Sequence, residues 1–105
     1  MTATIYKAGI RLKSAVCDTQ IMILRIPPAP VTITCGGHPV LPMAETPAAG
    51  LALDTAHAEG TLTGKRYVDE AESLEFLCTK GGAGGLAIDG VALGIKQAKA
   101  LPSSD

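Results

Sequence analysis

Apolar and polar residues alternate in short segments along this chain, in the pattern of β-strands. Isoleucine, valine and threonine are frequent in these segments, and glycine or proline interrupts each segment after a few residues. The chain therefore predicts an all-β fold: a small sheet, sandwich or partial barrel of short antiparallel hairpins. The predicted strands are 4–6, 10–12, 21–26, 31–35, 66–68, 74–79 and a pair within 86–93 around the hairpin turn Asp89-Gly90.

The alternation is lost between residues 39 and 64, a segment with three prolines and alanine-rich apolar patches. It predicts a long central loop, 43–61, with one helical turn near residues 54–59. The loop would connect two sub-halves, 1–42 and 62–95, of one domain spanning 1–105. Each sub-half has an apolar strand, a break, an alternating strand and a glycine turn, which either a duplication or two ordinary hairpins would produce.

The apolar residues are numerous but small. Hydrophobic residues make up 47% of the 105-residue chain, yet it contains no Trp and only one Phe. A domain of this size buries a limited fraction of its surface on folding, so a monomer would leave part of this apolar area exposed to solvent. We therefore expect a homo-oligomer or a complex with a larger protein partner.

Charge and segment composition restrict the classes of partner and the compartment. The net charge is −1 and the nine basic residues are scattered, so no basic stripe for nucleic acid is present. The first sixteen residues are not expected to act as a signal peptide, since they contain three cations and no continuous apolar core. The given sequence has no apolar run of about twenty residues, so no membrane span is predicted. Three cysteines, an odd number, favour a reducing cytoplasm with free thiols or metal ligands.

The candidate metal ligands are Cys17, Cys35, His38 and Cys78. Cys35 and His38 have the spacing of a chelating pair, and the other two cysteines would complete a tetrahedral zinc or iron site. The alternative is packing, because Cys35 and Cys78 each continue the apolar face of a predicted strand and buried cysteine behaves as a small hydrophobe.

Residues 14–40, "SAVCDTQIMILRIPPAPVTITCGGHPV", resemble the small desulforedoxin-type (rubredoxin-like) domain. That family has Cys-x-x-Cys, a short hairpin and then Cys-Cys-Gly-x-Pro-Met, and its four cysteines hold one iron. Cys17 and Cys35 match the second and third cysteines, whereas Ser14 and Gly36 stand at the first and fourth positions. Gly37, Pro39 and Val40 match the family's Gly, Pro and Met. The resemblance implies a dimerising β-hairpin fold with a degenerate metal site, and it does not imply rubredoxin-type iron.

Other motifs predict turns and surface. The segment 60–66, "GTLTGKR", lacks the spacing of a P-loop, and "GGAGG" at 81–85 precedes a strand rather than the helix of a dinucleotide site. Asp54 and His57 could orient a base, but a polar surface pair in an alanine-rich loop is the simpler interpretation. No catalytic residue is predicted.

The sequence thus predicts a small non-catalytic cytoplasmic protein without a bound cofactor. It would self-associate or serve as an accessory subunit of a larger bacterial enzyme. The alternative is a metal-binding or redox protein that uses Cys17, Cys35, His38 and Cys78, with zinc or iron as the metal.

Overall fold

The computed structural model describes residues 3–96, which form two antiparallel β-sheets that are not closed into a barrel. The predicted all-β class is confirmed. In the first half the strands are β1 (Arg11–Lys13), β2 (Gln20–Arg25), β3 (Ile33–Cys35), β4 (His38–Pro39) and β5 (Leu41–Pro42). In the second half they are β6 (Arg66–Val68), β7 (Glu75–Lys80), β8 (Leu86–Ile88), β9 (Val91–Ala92) and β10 (Gly94–Ile95).

The larger sheet has six strands in the order β10-β6-β7-β2-β1-β5, and the smaller has four in the order β4-β3-β8-β9. One cluster of buried side chains has members from both sheets, because the inward faces of the central strands carry aliphatic and thiol side chains. The largest side chains that are fully buried are Phe76, Ile21, Ile23, Ile33, Leu74, Thr19, Cys35 and Cys78.

The two halves repeat one another in strand pairing. Leu12 pairs with Ile21 between β1 and β2, and Tyr67 pairs with Phe76 at the same place between β6 and β7. The hydrogen bond from Gly9 N–H to the Ile23 carbonyl is likewise repeated from Gly64 to Cys78. The halves join across the middle of each sheet, where β2 pairs with β7 and β3 pairs with β8. The molecule therefore has an approximate internal two-fold symmetry.

Equivalent hairpin turns end β3 and β8. Both central residues of each turn have positive φ: 64° and 87° at Gly36 and Gly37, and 49° and 85° at Asp89 and Gly90. This is the geometry of the type I′ turn, whose twist matches that of the paired strands. Glycine permits it without strain, and aspartate tolerates it better than most residues.

Most predicted strands differ from the observed ones at their ends, and the two-residue strands β4, β5 and β10 were not predicted. The segment 66–68 is a strand with the predicted bounds, and the predicted helical turn is a 3₁₀ turn at Thr55–His57. The predicted strand 4–6 is reduced to a single bridge between Thr4 and Val31, and β5 lies in the segment where the alternation was lost. Short strands that lie beside prolines carry too few alternating residues to be recognised.

Residues 3–96 contain no helix with the length and apolar character needed to cross a bilayer.

Candidate functional site

Two of the predicted metal ligands, Cys17 and Cys35, are neighbours. Their Sγ atoms lie 3.9 Å apart, and both side chains are free thiols. Cys17 is in the turn between β1 and β2 and is partly exposed, whereas Cys35 ends β3 and is fully buried. Eighteen residues separate them in sequence, so the fold and not the local chain brings the two thiols together.

Strand register places these thiols beside residues 81–85, which we call the glycine-rich loop. In the larger sheet Gln20 is opposite Lys80, so the residues before β2 lie beside the residues after β7. In the smaller sheet Cys35 is opposite Leu86, so the residues after β3 lie beside the residues before β8. The three segments that meet are 14–19, 36–37 and 81–85.

The turn that carries Cys17 is organised by Ser14. The buried Ser14 Oγ accepts hydrogen bonds from the N–H groups of Val16 and Cys17, each at 3.1 Å, and Ser14 N–H donates to the Thr19 carbonyl at 2.8 Å. A serine oxygen that accepts from the following backbone holds a tight turn without regular secondary structure. Because the Ser14 oxygen already accepts from two backbone donors, its hydroxyl hydrogen can donate to the Cys17 sulfur. This side-chain hydrogen bond lowers the pKa of Cys17.

The glycine-rich loop supplies a backbone donor to Cys17. Gly84 N–H points to Cys17 Sγ with a nitrogen–sulfur distance of 3.4 Å. A Cβ atom at Gly84 would lie 2.8 Å from Gly36 N and 3.1 Å from Cys17 Sγ, so a side chain at this position would push the loop away. The segment predicted as a simple turn is therefore part of the candidate site, and the absence of a side chain at Gly84 is what lets it approach the thiol.

The surroundings of the two thiols shift their pKa values in opposite directions. Burial raises the pKa of Cys17, but hydrogen bonds from Ser14, Thr19 and the Gly84 N–H outweigh it and bring the pKa to about 7. Burial, followed by the negative charge of Cys17, raises the pKa of Cys35 to about 12. Near neutral pH Cys17 is therefore the thiol that ionises, whereas Cys35 stays protonated.

The other two predicted ligands have partners elsewhere. His38 Nε2 lies 2.9 Å from the Ala52 carbonyl oxygen, which ties the ring to the central loop. Cys78 Sγ donates to the Lys80 carbonyl at 3.3 Å and is fully buried, and burial raises the pKa of this thiol. Within residues 3–96 no three or more His, Cys, Asp and Glu side chains are grouped to hold a metal ion.

The residues at the site do not fit a four-thiolate iron centre. Ser14 stands where the desulforedoxin-type pattern has its first cysteine, and its oxygen is occupied by two backbone donors. Gly36 stands at the fourth cysteine position, and a Cβ there would collide with Leu53 Cδ1 and lie 2.8 Å from Val16 Cγ2. Zinc or iron binding by Cys17, Cys35, His38 and Cys78 stays a prediction.

Asp54 and His57, the possible catalytic pair, serve the 3₁₀ turn. Asp54 Oδ1 accepts from Ala56 N–H at 3.0 Å as the cap of the turn, and His57 N–H donates to the Asp54 carbonyl at 2.9 Å. The contact between these two residues is thus made by backbone atoms, and an N-cap aspartate is a common way to begin a helical turn.

No protein-family model, curated protein or solved structure matches the chain. The resemblance to the desulforedoxin-type domain therefore stays a prediction.

Cys17 is expected to be the fast-reacting cysteine of the folded protein. The rate of its alkylation by iodoacetamide should rise with pH through a midpoint near 7, about 1.5 units below that of an ordinary cysteine. The site of modification is read by peptide mass spectrometry, and Cys17→Ser should abolish the fast phase. Equal alkylation rates at Cys17 and Cys35, or a midpoint at the ordinary cysteine value, would contradict the asymmetry of the pair.

Proposed function

We propose that this chain is a small thiol-based redox protein in which Cys17 and Cys35 interconvert between a dithiol and a disulfide. The observation that carries the proposal is the 3.9 Å separation between a partly exposed and a buried sulfur. Formation of a disulfide requires the sulfurs to approach to about 2.05 Å. Cys17 lies in a turn whereas Cys35 lies in a paired strand, so most of this movement falls to Cys17.

The two thiols have the properties of an attacking and a resolving cysteine. The attacking thiol of an exchange reaction must be accessible and have a pKa near the ambient pH, and Cys17 meets both conditions. The resolving thiol must lie within reach and need not be exposed, as is true of Cys35. A reducing cytoplasm, favoured by the odd number of cysteines, would keep the resting pair as a dithiol.

The reaction is thiol–disulfide exchange with a substrate disulfide. The Cys17 thiolate attacks one substrate sulfur, forms a mixed disulfide and releases the other sulfur as a thiolate. Once Cys17 is covalently bound, its negative charge no longer adds to the burial that raises the pKa of Cys35, so the Cys35 proton is released more readily. Cys35 passes its proton to the released thiolate and attacks the Cys17 sulfur, which expels the second substrate sulfur as a thiolate. Two electrons move from the cysteine pair to the substrate.

Oxidised glutathione is the probe that tests this sequence of steps. The wild-type protein should lose two hydrogen atoms in mass and yield a Cys17–Cys35 linked peptide, both reversed by dithiothreitol. Cys35→Ser should stop at the glutathione adduct on Cys17, because the resolving thiol is missing, and Cys17→Ser should not react. Cys78→Ser, which removes a buried thiol outside the pair, is the matched control and should behave as wild type.

A persistent glutathione adduct on the wild-type protein would contradict the resolving role of Cys35. A linkage between Cys17 and Cys78 would contradict the assignment of the pair. Elemental analysis of the purified protein distinguishes the redox pair from a metal site. Near-stoichiometric zinc or iron that is lost in Cys35→Ser would favour the metal site.

A second candidate function is self-association, which the edge of the larger sheet favours. Among residues 3–96, β10 is the outermost strand and no other strand pairs with the second side of its backbone, and both Gly94 and Ile95 are exposed. Ile95 and the exposed Leu62 border an open groove of about 410 Å³ lined mostly by apolar side chains. An exposed edge beside an apolar groove is a typical surface for pairing with a second chain. We propose a second copy of this chain as the partner. An accessory role, in which the same surface would bind a larger enzyme, also stays a proposal.

Sedimentation tests this second candidate. The wild-type protein is expected to sediment well above its 10.7 kDa chain mass, and Ile95→Lys should return it to the monomer because a charge at an edge strand opposes pairing. Val91→Lys, at an exposed position on β9, is the control and should leave the mass unchanged. A wild-type monomer at high concentration would rule the candidate out.

A further inference from the structure

The cysteine pair is connected to the second half of the molecule by a string of hydroxyl groups. Cys17 Sγ lies 3.2 Å from Thr19 Oγ1, and Thr19 Oγ1 lies 2.6 Å from Thr61 Oγ1. Thr61 Oγ1 accepts the N–H of Gly82 at 3.1 Å. Both threonines are buried, with 2% and 5% of their surface exposed. Bulk water therefore has little access to this string.

The fixed donor at the far end favours one direction for the hydrogen bonds of this string. The Gly82 N–H can only donate, so Thr61 Oγ1 is an acceptor there. The Thr61 hydrogen has three acceptors within reach: Thr19 Oγ1 at 2.6 Å, the Gly82 carbonyl at 3.5 Å and the Cys78 sulfur. The short contact with Thr19 is favoured, since hydroxyl–hydroxyl hydrogen bonds are normally about 2.5–3.0 Å long. With its oxygen already accepting from Thr61, the Thr19 hydroxyl has its hydrogen free to donate to Cys17 Sγ.

We infer that Thr61 is a positioning residue for Cys17: by donating to Thr19 it turns the Thr19 hydroxyl into a donor that faces the Cys17 sulfur. A donor aimed at sulfur stabilises the thiolate and disfavours the thiol, whose own hydrogen would need an acceptor in the same place. Hydrogen bonds in a buried chain also polarise and strengthen one another. The inference deepens the proposed function, on which it rests, by assigning what tunes the attacking thiolate.

Gly82 is needed for this arrangement. A Cβ atom there would lie 2.6 Å from Thr19 Oγ1 and 2.7 Å from Thr19 N. Only glycine therefore allows the loop to pass close enough to place its N–H on Thr61. The glycine-rich loop acts on Cys17 twice, directly through Gly84 N–H and indirectly through Gly82, Thr61 and Thr19.

Other titratable groups near Cys17 do not replace this effect. The thiols of Cys35 on β3 and Cys78 on β7 both interact with the Cys17 charge, and burial raises the pKa of each, so they stay neutral near pH 7. The Glu59 carboxylate contacts Gly85 in the glycine-rich loop, and Asp18 is the chain neighbour of Cys17. Negative charges on these carboxylates would oppose the thiolate, so the hydrogen bonds supply the stabilisation.

The pH profile of Cys17 alkylation tests the role of Thr61. Thr61→Val should raise the midpoint by roughly one pH unit, and Thr61→Ser should restore the wild-type midpoint because it keeps the hydroxyl. Thr19→Val should raise the midpoint at least as much as Thr61→Val. Thr63→Val is the matched control, since the Thr63 hydroxyl accepts from Gly81 N–H in the same loop at 2.8 Å but has no place in the string.

An unchanged midpoint in Thr61→Val, or an equal rise in Thr63→Val, would overturn the inference. Circular dichroism checks that each variant is folded, and Thr61→Ala carries the same expectation with a smaller side chain if the valine variant does not fold. Reaction of the same variants with oxidised glutathione keeps the two proposals apart. A Cys17–Cys35 disulfide that still forms while the midpoint does not move would leave the redox function standing and reject the role of Thr61.

Discussion

The pairing of the two halves through β2 and β7 is the constraint on which the site depends. It fixes Gln20 opposite Lys80, so the turn before one strand and the loop after the other must share the same end of the sheet. The antiparallel pairing of β3 with β8 acts in the same way and brings Gly84 against Gly36 at the end of the smaller sheet. A change of register by one residue would turn every side chain of a strand to its opposite face, and buried strands resist it for that reason. The chemistry proposed for Cys17 is thus a consequence of long-range strand register.

The internal symmetry makes the difference between the halves informative. The turn of the first half has Ser14 and Cys17 where the equivalent turn of the second half has Asp69 and Glu72. Asp69 accepts from the N–H groups of two following residues, so a side-chain oxygen organises both turns. Cys35 has Ile88 at its equivalent position, which keeps the burial and removes the thiol. The scaffold is repeated, whereas the cysteine pair is present in one half.

The sequence predicted the local structure better than the site. Alternation identified most strands, because side chains on one face of a half-buried strand must be apolar. It also placed Cys35 on the apolar face, where the structure buries it. Cys17 and Cys35 were predicted as two of four candidate metal ligands, and a pair of these two alone was not predicted, since spacing cannot show which distant strands pair. Thr61 lies at the edge of the segment where the alternation was lost, and no local pattern marks a buried hydroxyl there.

Glu75 is a charged residue whose burial the local sequence pattern also fails to predict. In the alternating strand 74–79 this residue lies on the face opposite Leu74, Phe76 and Cys78. It is nevertheless buried, because the cations of Arg25, Arg66 and Lys96 surround its carboxylate. Those partners come from three other segments of the chain, and the hydrogen bond from Lys96 is the main cause that lowers its pKa. Burial of polar groups in this protein is therefore decided by tertiary neighbours, for the carboxylate as for the hydroxyls beside Cys17.

A redox titration of the cysteine pair tests the central claim most directly. The protein would be equilibrated with mixtures of reduced and oxidised dithiothreitol, and the fraction of Cys17–Cys35 disulfide measured by mass spectrometry. The account predicts one two-electron transition, in which a tenfold change in the ratio of the two forms takes about 30 mV, and its complete loss in Cys35→Ser. A protein that stays a dithiol across the whole range, or a transition that survives in Cys35→Ser, would contradict it.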